Sequence, residues 1–205
     1  KGITLIKNNG VLPLDRAQVR KVALIGKLAN TAIIGDHGSS WVRPPYVVTP
    51  EEGLKKLHPE SEVVFDDGSD IERAKKLAAE SDAVVFVVGY NYDDEGEFVS
   101  AEEVDNYTGA VGGDRKTSLG LHADEIELLQ QVGPVNPKST AVLVGGNMIM
   151  MTEWYDCVNS VMMAYYPGME GGTAIAEILY GDVNPSGKLP YVVPYSEDDL
   201  PYVDW

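Results

Sequence analysis

The chain has 205 residues, 44% of them apolar, enough for one large domain with a substantial core and too many for a disordered tail. Acidic residues outnumber basic ones 32 to 16, giving a formal charge of −16. Phosphate-backbone binding depends on Lys and Arg, so the charge argues against nucleic acid as a partner, and an anionic membrane surface would repel the chain.

Residues 21–26 (KVALIG) show a buried-strand pattern ending in glycine. The stretch Gly35-Asp36-His37-Gly38-Ser39-Ser40-Trp41-Val42-Arg43-Pro44-Pro45 is turn-rich. Its spacing fits neither a phosphate loop nor a dinucleotide fingerprint, so no nucleotide cofactor is expected. A helix is predicted over residues 49–57, with Thr49 as N-cap, Pro50 at the first helical position and Glu52 completing a capping box. His58 follows it and reads as a surface or cap residue. Residues 62–65 form a second strand, and Asp70 caps a helix over residues 71–79. Residues 83–89 (AVVFVVG) are a continuous apolar run, suited to a strand covered on both faces.

Residues 90–121 then interrupt the pattern with Asp, Glu and Gly and little periodicity. Compact α/β domains usually connect elements in about two to six residues, so a loop this long reads as functional or disordered. A helix is predicted at residues 124–132, with His122 beside it as a surface or cap residue. Strands follow at residues 140–145 and 160–165. Met148, Met150, Met151, Met162 and Met163 flank these strands as core filler. Trp154 suits either a cleft or the core. Cys157 is the only cysteine, so no intrachain disulfide is possible, and it reads as a small buried hydrophobe. A helix over residues 171–179 opens with Gly171-Gly172, a pair suited to close helix–sheet packing, and residues 189–193 form a final extended segment. No apolar stretch approaches the ~20 residues that span a bilayer.

Strands alternating with helices predict an α/β fold: a single domain with a largely parallel sheet sandwiched between helices in flavodoxin-like layers. Sites in such sheets form outside the carboxyl ends of strands, which is where the long loop leaves residues 83–89. The loop begins Tyr90-Asn91-Tyr92-Asp93-Asp94-Glu95-Gly96-Glu97-Phe98. Four carboxylates within five residues crowd like charges together, and crowding with partial burial favours a protonated carboxyl able to serve as a general acid. Tyr92 and Phe98 offer flat apolar faces for sugar rings. A solvated acidic tip or a weak calcium site would use the same residues. Downstream, Asp114-Arg115 could brace the loop or bind a polar ligand. With three scattered His and one Cys, no metal site or cofactor is expected.

Taken together, these segments resemble the second domain of family 3 glycoside hydrolases, such as β-glucosidases. The lead-in from Gly2-Ile3-Thr4-Leu5-Ile6-Lys7-Asn8-Asn9-Gly10 to Leu14 resembles that family's linker from a barrel. Gly38-Ser39-Ser40, Gly113-Asp114-Arg115 and Tyr166-Pro167-Gly168-Met169-Glu170-Gly171-Gly172 match further segments. The most specific is Asn184-Pro185-Ser186-Gly187-Lys188-Leu189-Pro190. The resemblance implies residues 1–20 as the linker from an N-terminal barrel, 21–195 as the α/β sandwich and 196–205 as the start of an exit segment. It implies a retaining exo-acting β-glycosidase acting on a β-linked glucoside or oligosaccharide, with the Asp nucleophile on the barrel and the Glu acid/base here. Family members place that Glu before a Gly, which selects Glu95; a two-residue slide selects Glu97. Tyr92, Phe98, Asp114 and Arg115 become substrate-binding candidates, with Tyr107 in the inserted residues 99–112. The chain reads as an excised piece, inactive alone. The alternative is a non-catalytic carbohydrate-binding or scaffold domain of the same fold.

Overall fold

The computed structural model describes residues 2–35, 38–98, 112–113, 115 and 118–201. Its strands are β1 (Thr4–Asn8), β2 (Lys21–Ile25), β3 (Glu62–Asp66), β4 (Ala83–Gly89), β5 (Ser139–Val144) and β6 (Ser160–Met163). They form one sheet in the order β1-β6-β5-β4-β2-β3. β2 to β6 are mutually parallel, and β1 closes one edge antiparallel to β6. Without β1 the order is that of a flavodoxin-like sheet, reversing direction between β2 and β4.

Every residue of β4 and β5 is buried, because alternate side chains feed two separate cores. Val22, Leu24, Val85, Val87, Val142 and Val144 pack with Leu54 of α1 (Pro50–Leu57) and Ile175 and Leu179 of α5 (Gly171–Leu179). Ala23, Ile25, Val84, Phe86, Val88 and Leu143 pack on the other face with Ala74 and Ala78 of α2 (Ile71–Ala79) and Leu128 and Leu129 of α4 (Ala123–Val132). Each large aliphatic side chain buried this way contributes about 1.5–3 kcal/mol. The helix starts follow the sequence: Thr49 and Glu52 form the capping box, and Asp70 accepts from the Arg73 amide. A four-residue helix, α3 (Tyr92–Glu95), opens the long loop. Among the described residues no helix is long and apolar enough to cross a membrane.

Several local expectations are corrected or narrowed. Gly172 serves a helix–helix contact rather than helix–sheet packing: a Cβ there would overlap the Thr49 carbonyl, and one on Gly53 would overlap the Gly172 carbonyl. These glycines let α1 and α5 touch backbone to backbone. His58 is a C-cap but is buried, its ring edge-on to Tyr180 at 5.3 Å. Cys157 is only half-buried, whereas Trp154 lies in the core. Residues 189–193 join no strand. Within the lead-in segment, Thr4–Asn8 pairs with β6 as an edge strand.

Candidate functional site

The root of the acidic loop is fixed before its carboxylates appear. Tyr90 leaves β4 with its amide on the Val144 carbonyl at 2.9 Å and its hydroxyl donating to the Gly120 carbonyl. Asn91 then caps α3: its side chain accepts from the Asp93 amide at 2.8 Å, and its own amide donates to Asp94 at 3.1 Å. One turn of helix sends successive side chains in different directions, so carboxylates adjacent in sequence take up different partners. Asp94 faces His122 at 3.2 Å. Glu95 turns inward, while Glu97 reaches across to accept from the Ser39 amide.

Glu95 is the most enclosed of the four, its side chain 11% exposed. Its Oε2 accepts from the Arg115 Nε at 2.9 Å. Its Oε1 accepts from the Tyr166 hydroxyl at 2.6 Å and from the Gly146 amide. Arg115 is itself anchored: it donates to the Met148 carbonyl, and its guanidinium lies 4.0 Å from the Tyr90 ring centroid. A charge-assisted contact of this kind, shielded from water, holds a side chain more firmly than a surface ion pair. Burial and the hydrogen bond to Glu95 both push the Tyr166 hydroxyl well above the usual phenol range, so Tyr166 stays a donor. Together Glu95, Gly113, Arg115, Leu119, Gly146, Asn147 and Tyr166 line a cleft of ≈ 820 Å³ at the carboxyl edge of the sheet.

The sequence candidates therefore divide. Glu95 and Arg115 meet in the cleft. Glu97 is exposed and lies over the Gly38-Ser39 turn. Tyr92 is half-buried on α3, and Phe98 is exposed. Asp114, Tyr107, most of the inserted loop, Asp36 and His37 lie outside the described residues. Two contributors, Gly146 and Tyr166, were not singled out as site residues. Their signal was position: each follows the carboxyl end of a parallel strand, β5 beside the strand that feeds the acidic loop and β6 one strand further. Among the described residues no group of three or more His, Cys, Asp and Glu is placed to hold a metal ion.

Comparison with known proteins gives a consistent result. The model of the glycosyl hydrolase family 3 C-terminal domain matches residues 3–204. The chain is 30% identical to a probable beta-glucosidase F of Emericella nidulans, over 97% of the chain and 24% of that protein. It is also 30% identical to a beta-xylosidase of Formosa agariphila, over 98% of the chain and 28% of that protein. A solved family 3 beta-glucosidase from Neurospora crassa superposes with a TM-score of 0.78 at 27% identity, covering 95% of this chain and 24% of that one. The chain thus spans about a quarter of the length of these relatives.

Proposed function

Since the chain belongs to the glycosyl hydrolase family 3 C-terminal domain family, we propose that it supplies the general acid/base, Glu95, to a retaining exo-acting β-glycosidase, a β-glucosidase in the first instance. The remainder of the active site, including an Asp nucleophile, belongs in this reading to an N-terminal barrel domain of the same protein. Relatives described as β-glucosidases, about four times the length of this chain, support both the activity and a further domain.

One observation carries the residue assignment: the Glu95 carboxylate is set into the wall of a cleft at the carboxyl edge of a parallel sheet, held on both oxygens. A general acid must be placed within hydrogen-bond reach of the oxygen it protonates, and placement demands a rigid mount. Glu97, on the exposed outer face of the loop, lacks that enclosure. In the mechanism, Glu95 protonates the leaving glycosidic oxygen as the partner domain's Asp attacks the anomeric carbon. It then takes a proton from the water that releases the sugar.

The complete enzyme carrying Glu95→Ala tests this. Expected is a loss of about 10²- to 10⁴-fold in kcat/KM on substrates with poor leaving groups, little change on dinitrophenyl glucosides, and recovery of turnover with azide. Glu97→Ala leaves both substrates within about tenfold, well short of a lost acid/base. Equal effects on both leaving groups with no azide response would instead favour the scaffold reading. The isolated chain turns over neither substrate.

A further inference from the structure

Two of the three groups on Glu95 come from outside the acidic loop, and the backbone is shaped to deliver them. Among the described residues Tyr165 is the only non-glycine with positive φ, at 57°. A bulky aromatic side chain resists that conformation, since its Cβ crowds the carbonyl, and it persists only where surrounding structure enforces it. Here the Tyr165 ring packs against the core and lies edge-on to Tyr191 at 6.4 Å. The resulting turn leaves β6 and carries the next residue, Tyr166, back over the sheet edge to Glu95. Beside Tyr166, Gly145-Gly146 leaves room for the carboxylate. A Cβ on Gly146 would stand 3.2 Å from both Glu95 Oε1 and Tyr166 Cε2, and one on Gly145 3.4 Å from Oε1.

We propose that Tyr166 is a positioning residue that sets the rotation of the Glu95 carboxyl, working against the amide of Gly146. This rests on the reading of Glu95 as the acid/base. With Oε1 committed to Tyr166 and Gly146 and Oε2 to Arg115, the carboxyl plane has a single supported orientation. Removing the Tyr166 hydroxyl leaves Oε1 with the Gly146 amide alone, and the plane can swing about the arginine contact. Protonation of a leaving oxygen tolerates such a swing poorly.

The experiment compares Tyr166→Phe, Gly146→Ala and Glu95→Ala in the complete enzyme, using one aryl glucoside with a poor leaving group and one dinitrophenyl glucoside. Loss of a hydrogen bond to a charged group corresponds to roughly 10- to 100-fold. Tyr166→Phe is expected to lower kcat on the poor substrate by that factor with KM within about twofold, and to leave kcat/KM on the dinitrophenyl substrate near the parent value. Gly146→Ala, which crowds Oε1 while keeping the hydroxyl, gives the same pattern and serves if Tyr166→Phe fails to fold. Equal losses on both substrates, or none on either, overturn the positioning role if Glu95→Ala still shows leaving-group dependence and azide rescue. If Glu95→Ala shows neither, the acid/base reading fails and takes the proposal with it.

Discussion

Glu125 provides the sharpest test of the structure on the chain itself. It lies in the first turn of α4, 7% exposed, with both carboxylate oxygens facing the Gly89 amide at 3.0 and 3.2 Å. Burial raises its pKa to about 8, with Asp124 and Asp94 adding to the rise and the Gly89 amide and Lys27 opposing it. In the unfolded chain the group ionises near 4.5. Below that pH both states hold the proton and Glu125 does not alter stability. Between 4.5 and about 8 the unfolded state has released its proton and the folded state has not, so stability falls as pH rises; above about 8 the loss is complete. At ~1.4 kcal/mol per pH unit the loss is on the order of 3–5 kcal/mol. Glu125→Gln keeps an oxygen for the Gly89 amide and cannot ionise. Its unplaced amide costs about 1 kcal/mol, but equally at every pH. Urea unfolding of the chain and the variant at pH 4.5 and 8.5 reads the difference. With a slope of about 1–3 kcal/mol per molar urea, the gap between the two midpoints should widen by at least ~1 M toward alkaline pH, in favour of Glu125→Gln. Parallel midpoints across that range would refute the burial argument.

Two further perturbations address the helix layer and the buried histidine. Gly172→Ala forces α1 and α5 apart at the Thr49 carbonyl and should cost about 3 kcal/mol, lowering Tm by roughly 6–12 °C, whereas Gly2→Ala, with nothing within 4 Å of the added Cβ, should leave the melting curve in place. Burial, then Arg16 and Arg20, holds the His58 imidazole below its ordinary value near 6.5. Its contribution is therefore intact above pH 6.5 and lost as the pH falls below it, because the unfolded chain takes up the proton first. Melting curves between pH 7.5 and 5 should show the parent chain losing stability relative to His58→Leu as the pH falls, and a constant difference between the two would exclude His58 as the cause.

The features legible in the sequence were those whose cause is local. Thr49-Pro50-Glu51-Glu52 and Asp70 announce helix starts because their side chains satisfy amides two or three residues away. The unbroken run of β4 announces burial on both faces. What escaped depends on partners far along the chain. β1 is a five-residue strand whose pairing with β6 spans over 150 residues, and nothing in its own pattern specifies that edge. Gly53 and Gly172 explain each other only once α1 and α5 are seen in contact. His58 is the helix end that its sequence suggests, but its burial shows only once Tyr180 is seen against it. The same holds for the candidate site. The acidic loop was visible as an interruption, but its four carboxylates could not be separated from sequence, because what separates them is a single helical turn and the hydrogen bond that Glu97 accepts from the Ser39 amide.

The convergence of Glu95, Gly146 and Tyr166 follows from topology more than from any one motif. β4, β5 and β6 are adjacent and parallel, so their carboxyl ends lie along one edge of the sheet. Neighbouring strands stand about 4.8 Å apart, so the exits of β4 and β6 are separated by roughly 10 Å, a gap that a glutamate and a tyrosine side chain extending toward each other can close. β5 between them is followed at once by two glycines, Gly145 and Gly146, which put no side chain into that space. In an antiparallel sheet the three exits would alternate between opposite edges, and the same residues could not meet. The order of the strands thus decides which distant residues can hold the carboxyl. The acidic loop decides only which carboxyl is offered.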